Sequence, residues 1–143
     1  MLSVQRLDQS DAQRVLDGAR TKAQEIGVPM CIAVTDESGN LLAFERMDGG
    51  KVHSITLAQD KAFTAASARK ATHEYHSACI PGADNMLFGI HTAMGGRLCI
   101  VGGGLPILVE GVCVGGIGVS SGTPAQDLAC ATAGVERFLA QLD

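Results

Sequence analysis

The spacing of apolar residues predicts helices in four stretches of the chain. In residues 12–26, apolar side chains recur every three or four positions, which is the period of an amphipathic helix. Residues 54–68 and 124–139 repeat that spacing, and residues 71–79 form a shorter predicted helix before the Pro81-Gly82 break. Residues 85–96 show no clear period, and we expect a loop there.

Capping signals predict the ends of the first and last helices. The stretch Ser10-Asp11-Ala12-Gln13 has the spacing of a capping box, and Gly27 followed by Pro29 is typical of a helix end. The stretch Thr123-Pro124-Ala125-Gln126 supplies an N-cap, a proline at the first helical position and a second capping box.

Short runs of apolar residues predict five strands between the helices. Residues 30–36 and 41–47 form a hairpin around a polar turn, and residues 97–101, 107–111 and 112–120 form a second group. The resulting order is α-β-β-α-α-β-β-β-α. Because hairpin-connected strands are antiparallel, we expect an α+β fold with helices packed on an antiparallel sheet.

Glycine is frequent where the strand signal is strongest. The run Gly102-Gly103-Gly104 predicts a bend, whereas Gly116 and Gly118 lie inside the last strand, on one face with Val112 and Val114. A sheet face without side chains allows a helix, a second subunit or a flat ligand to approach the backbone.

Composition narrows the class of protein. The 143 residues suit a single domain over 1–143, and 46% of them are hydrophobic. A net charge of −4 without a basic stripe argues against nucleic-acid binding. The amino-terminal stretch lacks an apolar signal core, and no apolar run reaches the length of a membrane span, so we expect a cytoplasmic protein without a membrane partner.

The five cysteines do not have the spacing of a zinc or redox motif. Cys31, Cys99 and Cys113 lie in apolar runs, where cysteine behaves as a small hydrophobic residue. Cys79, just before the Pro81-Gly82 break, is the predicted exposed thiol.

Three motifs carry a family resemblance: AVTDESGNLLAFERMDGG, AQDKAFTAAS and GGGLPILVEGVCVGGIGVSSGTPAQDLACATAG. They closely resemble the GlcG/HbpS-like family, which includes the C-terminal domain of the PduO cobalamin-utilisation proteins. The resemblance extends from about Val4 to the end of the chain. It implies a profilin-like fold with a five-stranded antiparallel sheet, assembly into homo-oligomers and, for several members, haem as a ligand. The extracellular haem-binding members carry a secretion signal, which this sequence lacks.

Histidines are the candidate iron ligands. His73 and His76 stand three residues apart on a predicted helix, so both imidazoles can face one way. The stretch HEYH lacks the spacing of the HExxH zinc signature, and the alternative is two polar residues on an exposed helix face. His91 and Met94 flank a loop, where either is a second candidate ligand or simply a surface or core residue.

A second candidate site involves anion-binding side chains. Arg46 and Asp48 leave the hairpin together, and Lys61 lies on the apolar stripe of the second long helix. Lys61 either pairs with Asp48 or Asp60 in a structural salt bridge or meets a ligand carboxylate. His53, at the start of that helix, is a candidate ligand or general base.

The glycine bend adds Gly103 and Gly104 as residues that border a pocket. No nucleophile with an adjacent base is recognisable in the sequence. Three functions therefore stay open: a homo-oligomeric binding protein for haem or a related corrinoid, an enzyme acting on a small carboxylate through His53 or Lys61, and an accessory subunit without a ligand. An aromatic content of 3% counts against a deep haem pocket.

Overall fold

The computed structural model describes residues 1–82 and 84–142. In chain order its elements are α1 (Gln9–Ile26), β1 (Cys31–Asp36), β2 (Leu41–Arg46), α2 (Ser54–Ala68), a 3₁₀ turn (Thr72–Tyr75), α3 (His76–Cys79), an irregular 3₁₀ segment (Ile90–Gly96), β3 (Gly104–Val109), β4 (Val112–Ser120) and α4 (Pro124–Leu139). The strands form one antiparallel sheet in the order β2-β1-β4-β3. The predicted α+β class is confirmed.

The prediction of five strands is wrong, because the described residues contain four. Residues 97–101 do not join the sheet, since side-chain hydroxyls bind their backbone. Thr64 Oγ1 accepts from the Cys99 amide at 2.9 Å. The Thr64 hydroxyl donates to the Asp60 carbonyl oxygen at 2.7 Å, and the Arg97 carbonyl oxygen lies 3.2 Å from it. Thr72 Oγ1 donates to the carbonyl oxygen of Val101 at 2.6 Å. The backbone polar groups that would pair with a neighbouring strand are thus bonded to α2 and to the 3₁₀ turn.

The capping predictions are confirmed at one helix and corrected at the other. Thr123 and Gln126 form the predicted reciprocal cap of α4. Helix α1 begins two residues earlier than expected, because Asp8 accepts from the amide of Asp11 and the Asp11 carboxylate accepts from the amide of Asp8. Gly27 ends α1 in the left-handed conformation, as its position predicts.

Helices cover both faces of the sheet. On one face, α1 and α4 pack together over the larger hydrophobic core, which includes Val15, Leu16, Ile32, Ile117 and Phe138. On the other face, α2 lays Ala58 and Ala62 directly on Cys31 and Ala33 of β1. The alanines of α2 are small, so the helix lies close to the sheet at this second interface.

The glycines of β4 make this close approach of α2 to the sheet possible. A Cβ atom at Gly118 would lie 2.0 Å from the carbonyl oxygen of Ala58, and one at Gly116 would lie 2.5 Å from that of Ala62. Helix packing on the sheet is therefore the reason for these two glycines. Val114 does not share their face as predicted, because a register shift in the β3–β4 pairing turns it into the α1–α4 core.

The cysteine prediction needs one correction. Cys31 and Cys99 are buried and Cys113 is partly buried, in keeping with their apolar runs. Cys79 is buried too, with 3% of its surface exposed, rather than an exposed thiol. Tyr75 and Cys79 are four residues apart on one helical face, and both are buried.

Candidate functional site

Lys61 is a buried cation at the end of the sheet. It lies on α2 with 2% of its side chain exposed, and its Nζ atom donates to the carbonyl oxygen of Val119 at 2.9 Å and to Asp127 Oδ2 at 3.0 Å. Its ion-pair partner is thus Asp127, rather than Asp48 or Asp60 as the sequence predicts. The pair joins α2 on one face of the sheet to α4 on the other.

Asp127 is held by contacts from two directions. Its Oδ1 atom accepts from the Gly122 amide at 2.9 Å, while Oδ2 accepts from Lys61. Burial raises the pKa of the Asp127 carboxyl, and the Lys61 ammonium opposes that effect. In the sequence, Asp127 is explained by its position near the start of α4, where a carboxylate interacts favourably with the helix dipole. The sequence therefore did not indicate Lys61 as its partner.

Gly103 and Gly104 make room for this pair and its neighbours. A Cβ atom at Gly103 would lie 2.9 Å from Lys61 Nζ and 2.8 Å from the Asp127 Cβ atom, and the Gly103 φ angle of +121° disfavours other residues. A Cβ atom at Gly104 would lie 2.5 Å from the Thr72 Cγ2 atom. The two glycines therefore pack against the ion pair and the 3₁₀ turn.

A small cavity opens next to the ion pair. It has a volume of about 140 Å³. Ten residues line it: Lys51, His53, Leu57, Lys61, Val101, Ser120, Ser121, Gly122, Pro124 and Asp127. The structure thus brings His53 and Lys61 together, as an anion site requires. Gly103 and Gly104 are not among these described lining residues.

Two of the lining residues that were not predicted from the sequence, Ser121 and Lys51, are bonded to each other. Ser121 adopts a φ angle of +110°, a region that residues other than glycine rarely occupy, and its Oγ atom accepts from the Lys51 amide at 3.1 Å. This bond holds the backbone of Lys51 against the end of β4. A serine after a strand and a lysine after two glycines give no signal of that contact.

Arg46 and Asp48 lie outside the cavity. Arg46 is the last residue of β2, paired in register with Cys31, and both Arg46 and Asp48 are exposed. Neither is among the described lining residues of the cavity. The structure therefore does not bring them to Lys61.

The candidate iron ligands lie on a different part of the surface. His73 and His76 are exposed and stand three residues apart, where the 3₁₀ turn runs into α3. A Cβ atom at Gly102 would lie 3.5 Å from the Cβ atoms of both His73 and Pro124, so His73 is close to the wall of the cavity. Both imidazole side chains are open to a ligand from solvent.

An apolar surface segment follows these histidines. Between residues 80 and 94, five large hydrophobic side chains are exposed: Ile80, Met86, Leu87, Phe88 and Met94. Met86 is 94% exposed and Phe88 56%. The His91 ring lies 6.1 Å from the Phe88 ring, and its Nδ1 atom is buried without a hydrogen-bond partner in the described structure. We call residues 80–94 the apolar segment.

The fit of haem can be judged from these two regions. The cavity is too small to enclose a macrocycle, since pockets for ligands of drug or cofactor size measure roughly 300–1,000 Å³. The exposed residues outside the cavity supply suitable groups, because imidazoles are haem ligands and exposed apolar side chains can pack against a macrocycle. The chemistry of these residues therefore fits haem, and the size of the cavity does not.

Within residues 1–82 and 84–142, no three His, Cys, Asp or Glu side chains come together as a metal site. In the same part of the chain, every helix is too short or too polar to cross a membrane.

Comparisons with known proteins agree with the motifs. A 15.0 kDa uncharacterised protein from the dhaT–dhaS intergenic region of Citrobacter freundii is 39% identical over 127 residues, which is 89% of this chain and 88% of that protein. The corrinoid adenosyltransferase PduO of the same organism is 37% identical over 89% of this chain, but the match spans 36% of PduO.

A solved structure and a family model complete the comparison. The crystal structure of a PduOC–haem complex superposes with a TM-score of 0.87 and 30% identity, covering 92% of this chain and 94% of that one. Residues 7–136 match the family model described as haem degrading protein HbpS-like. The chain therefore belongs to the HbpS-like family.

Proposed function

We propose that the protein binds haem, or a related tetrapyrrole such as a corrinoid, on the surface formed by His73, His76 and the apolar segment. The observation that carries this proposal is the apolar segment itself, which exposes large hydrophobic side chains directly after two open imidazoles. Exposed apolar patches of this kind mark binding surfaces in soluble proteins. The likeness to a PduOC–haem complex supports the same ligand.

In this proposal, His73 or His76 ligates the iron. His73 lies in the 3₁₀ turn and His76 is the first residue of α3, three positions later. Residues three apart on helical backbone are neighbours on its surface, so either imidazole can reach a ring on that side. Bound haem supplies a redox-active iron, while this chain supplies the ligand and an apolar surface.

The proposal includes a homo-oligomer. A groove of about 700 Å³ runs between α1 and α4, and its lining includes the small α4 residues Ala125, Ala129 and Ala133, which allow close approach of a second backbone. Light scattering after size-exclusion chromatography tests this part. A mass of one chain at micromolar concentration would contradict it.

Haemin titration of the untagged protein in imidazole-free buffer tests the ligand. We expect a saturable, stoichiometric change in the Soret band. His73→Ala, His76→Ala or the double variant shifts or abolishes that band, because the axial ligand is lost. His53→Ala, in the cavity beside Lys61, is the control for the loss of a histidine, and the Soret band of the loaded variant keeps its position because His53 is not an iron ligand in this proposal. Featureless, non-saturating absorbance refutes haem binding, and an unaltered band in the double variant refutes the ligand assignment.

A further inference from the structure

The cavity beside Lys61 combines positive charge with an apolar wall. Lys51 and Lys61 contribute two cations and Asp127 one anion, which leaves one positive charge in excess with His53 neutral. Leu57, Val101 and Pro124 line the same space. A ligand that fills it therefore needs one negative charge and a short apolar part.

Lys61 retains hydrogen-bonding capacity toward this space. An ammonium group has three donors, and the described structure gives Nζ two acceptors, Val119 O and Asp127 Oδ2. The Lys61 side chain is buried, the residue is one of those that line the cavity, and its Nζ atom carries the third donor. A carboxylate oxygen in the cavity satisfies that donor, and Lys51 lies on the same cavity wall to meet the second oxygen.

The size of the space limits the ligand. A volume of about 140 Å³ is well below the roughly 300–1,000 Å³ of pockets that hold ligands of drug or cofactor size. Acids of two to four carbons match it. A phosphate dianion matches it less well, because its second charge is placed near the Asp127 carboxylate without an apolar contact.

We infer that this cavity is a binding site for a carboxylate on a short aliphatic chain, held by Lys51 and Lys61 against Leu57, Val101 and Pro124. The inference stands on the cavity and does not depend on haem binding. The strained Ser121 backbone belongs to this site, since it fixes the segment that carries Lys51.

Two sources of such a carboxylate are compatible with the geometry. One is a free short-chain acid. The other is a propionate side chain of a haem bound near His73, because Gly102 adjoins both His73 and Pro124, and Pro124 lines the cavity. The chemistry of the bound group is the same in both.

Amide NMR spectra recorded during a titration with sodium propionate test the inference. We expect saturable shifts of the Ser121 and Gly122 amides, and no such shifts with propionamide, which has the same shape without the charge. Lys51→Met weakens propionate binding about tenfold, which corresponds to about 1.4 kcal/mol. The Lys51 side chain is exposed and its structural hydrogen bonds are made by its backbone, so this variant is expected to fold. Arg14→Met, on the exposed side of α1 and away from the cavity, is the control and leaves the affinity unchanged.

Three results would overturn the inference: no saturable shift with propionate, equal affinity in wild type and Lys51→Met, or tighter binding of inorganic phosphate than of propionate. If the inference holds, a haemin titration with and without propionate identifies the source. If propionate and haemin compete for binding, the cavity holds a haem side chain. If they bind independently, the cavity holds a free acid. If the wild-type protein binds propionate but not haemin, the proposed function is refuted and the inference about the cavity stands.

Discussion

Substituting Gly118 tests the claim that α2 packs against bare backbone. A Cβ atom there would lie 2.0 Å from the carbonyl oxygen of Ala58 and 2.5 Å from the amide nitrogen of Ala62, whereas real Cβ contacts are not shorter than 3.0 Å. Helix α2 would have to move away by about 1 Å along this contact. Since main-chain atoms cannot rotate aside as a side chain does, we expect Gly118→Ala to cost about 3 kcal/mol, the upper part of the range for overpacked cores.

Urea unfolding followed by circular dichroism measures this loss, and Gly102→Ala is the matched control. Gly102 also has an ordinary φ angle, but a Cβ atom there has its nearest neighbours at 3.5 Å, an ordinary contact. That control is expected to be neutral or slightly stabilising, since alanine reduces the entropy of the unfolded chain. If the two variants unfold at the same urea concentration, the close approach of α2 to β4 is not what requires glycine.

Three further perturbations probe other contacts. Lys61→Met leaves Asp127 as an unpaired buried charge and is expected to lower the free energy of unfolding by about 3–5 kcal/mol at neutral pH. Burial raises the pKa of the Asp127 carboxyl, and protonation removes its unpaired charge. The stability loss measured by urea unfolding should therefore shrink toward pH 4 rather than stay constant. Thr64→Val removes the hydroxyl that binds the Cys99 amide and should cost about 1–3 kcal/mol, whereas an unchanged unfolding midpoint would show that the bond is dispensable. Maleimide should label Cys113 before the four buried cysteines, as followed by peptide mass spectrometry, and faster labelling elsewhere would contradict the burial pattern.

Local patterns predicted most of the fold. Helices α1, α2 and α4 follow from apolar periodicity, and the α4 start follows from its cap, because these signals act within a few residues. The extra strand at residues 97–101 was predicted from an apolar run that does lie largely buried at Leu98 and Cys99. Its hydrogen-bond partners, the hydroxyls of Thr64 and Thr72, are some 30 residues away in sequence, and no local pattern reveals them.

The candidate site was predicted only in part, for the same reason. Lys61 was recognised because a lysine on an apolar helical stripe is unusual, and His53 because it begins the same helix. Asp127 lies 66 positions after Lys61, and its place near a helix start already explained it. Arg46 and Asp48 are near His53 in sequence, but the exposed end of β2 keeps them out of the cavity.

The glycines of β4 also affect how the cavity residues are positioned. Where α2 crosses Gly116 and Gly118, its main chain packs directly on that of β4, since a Cβ atom at either glycine would lie 2.5 Å or less from a carbonyl oxygen of α2. His53, Leu57 and Lys61 lie along this helix or at the residue before it. We expect this close packing to hold the three residues in place, so that a ligand entering the cavity loses little affinity to reorganisation of α2.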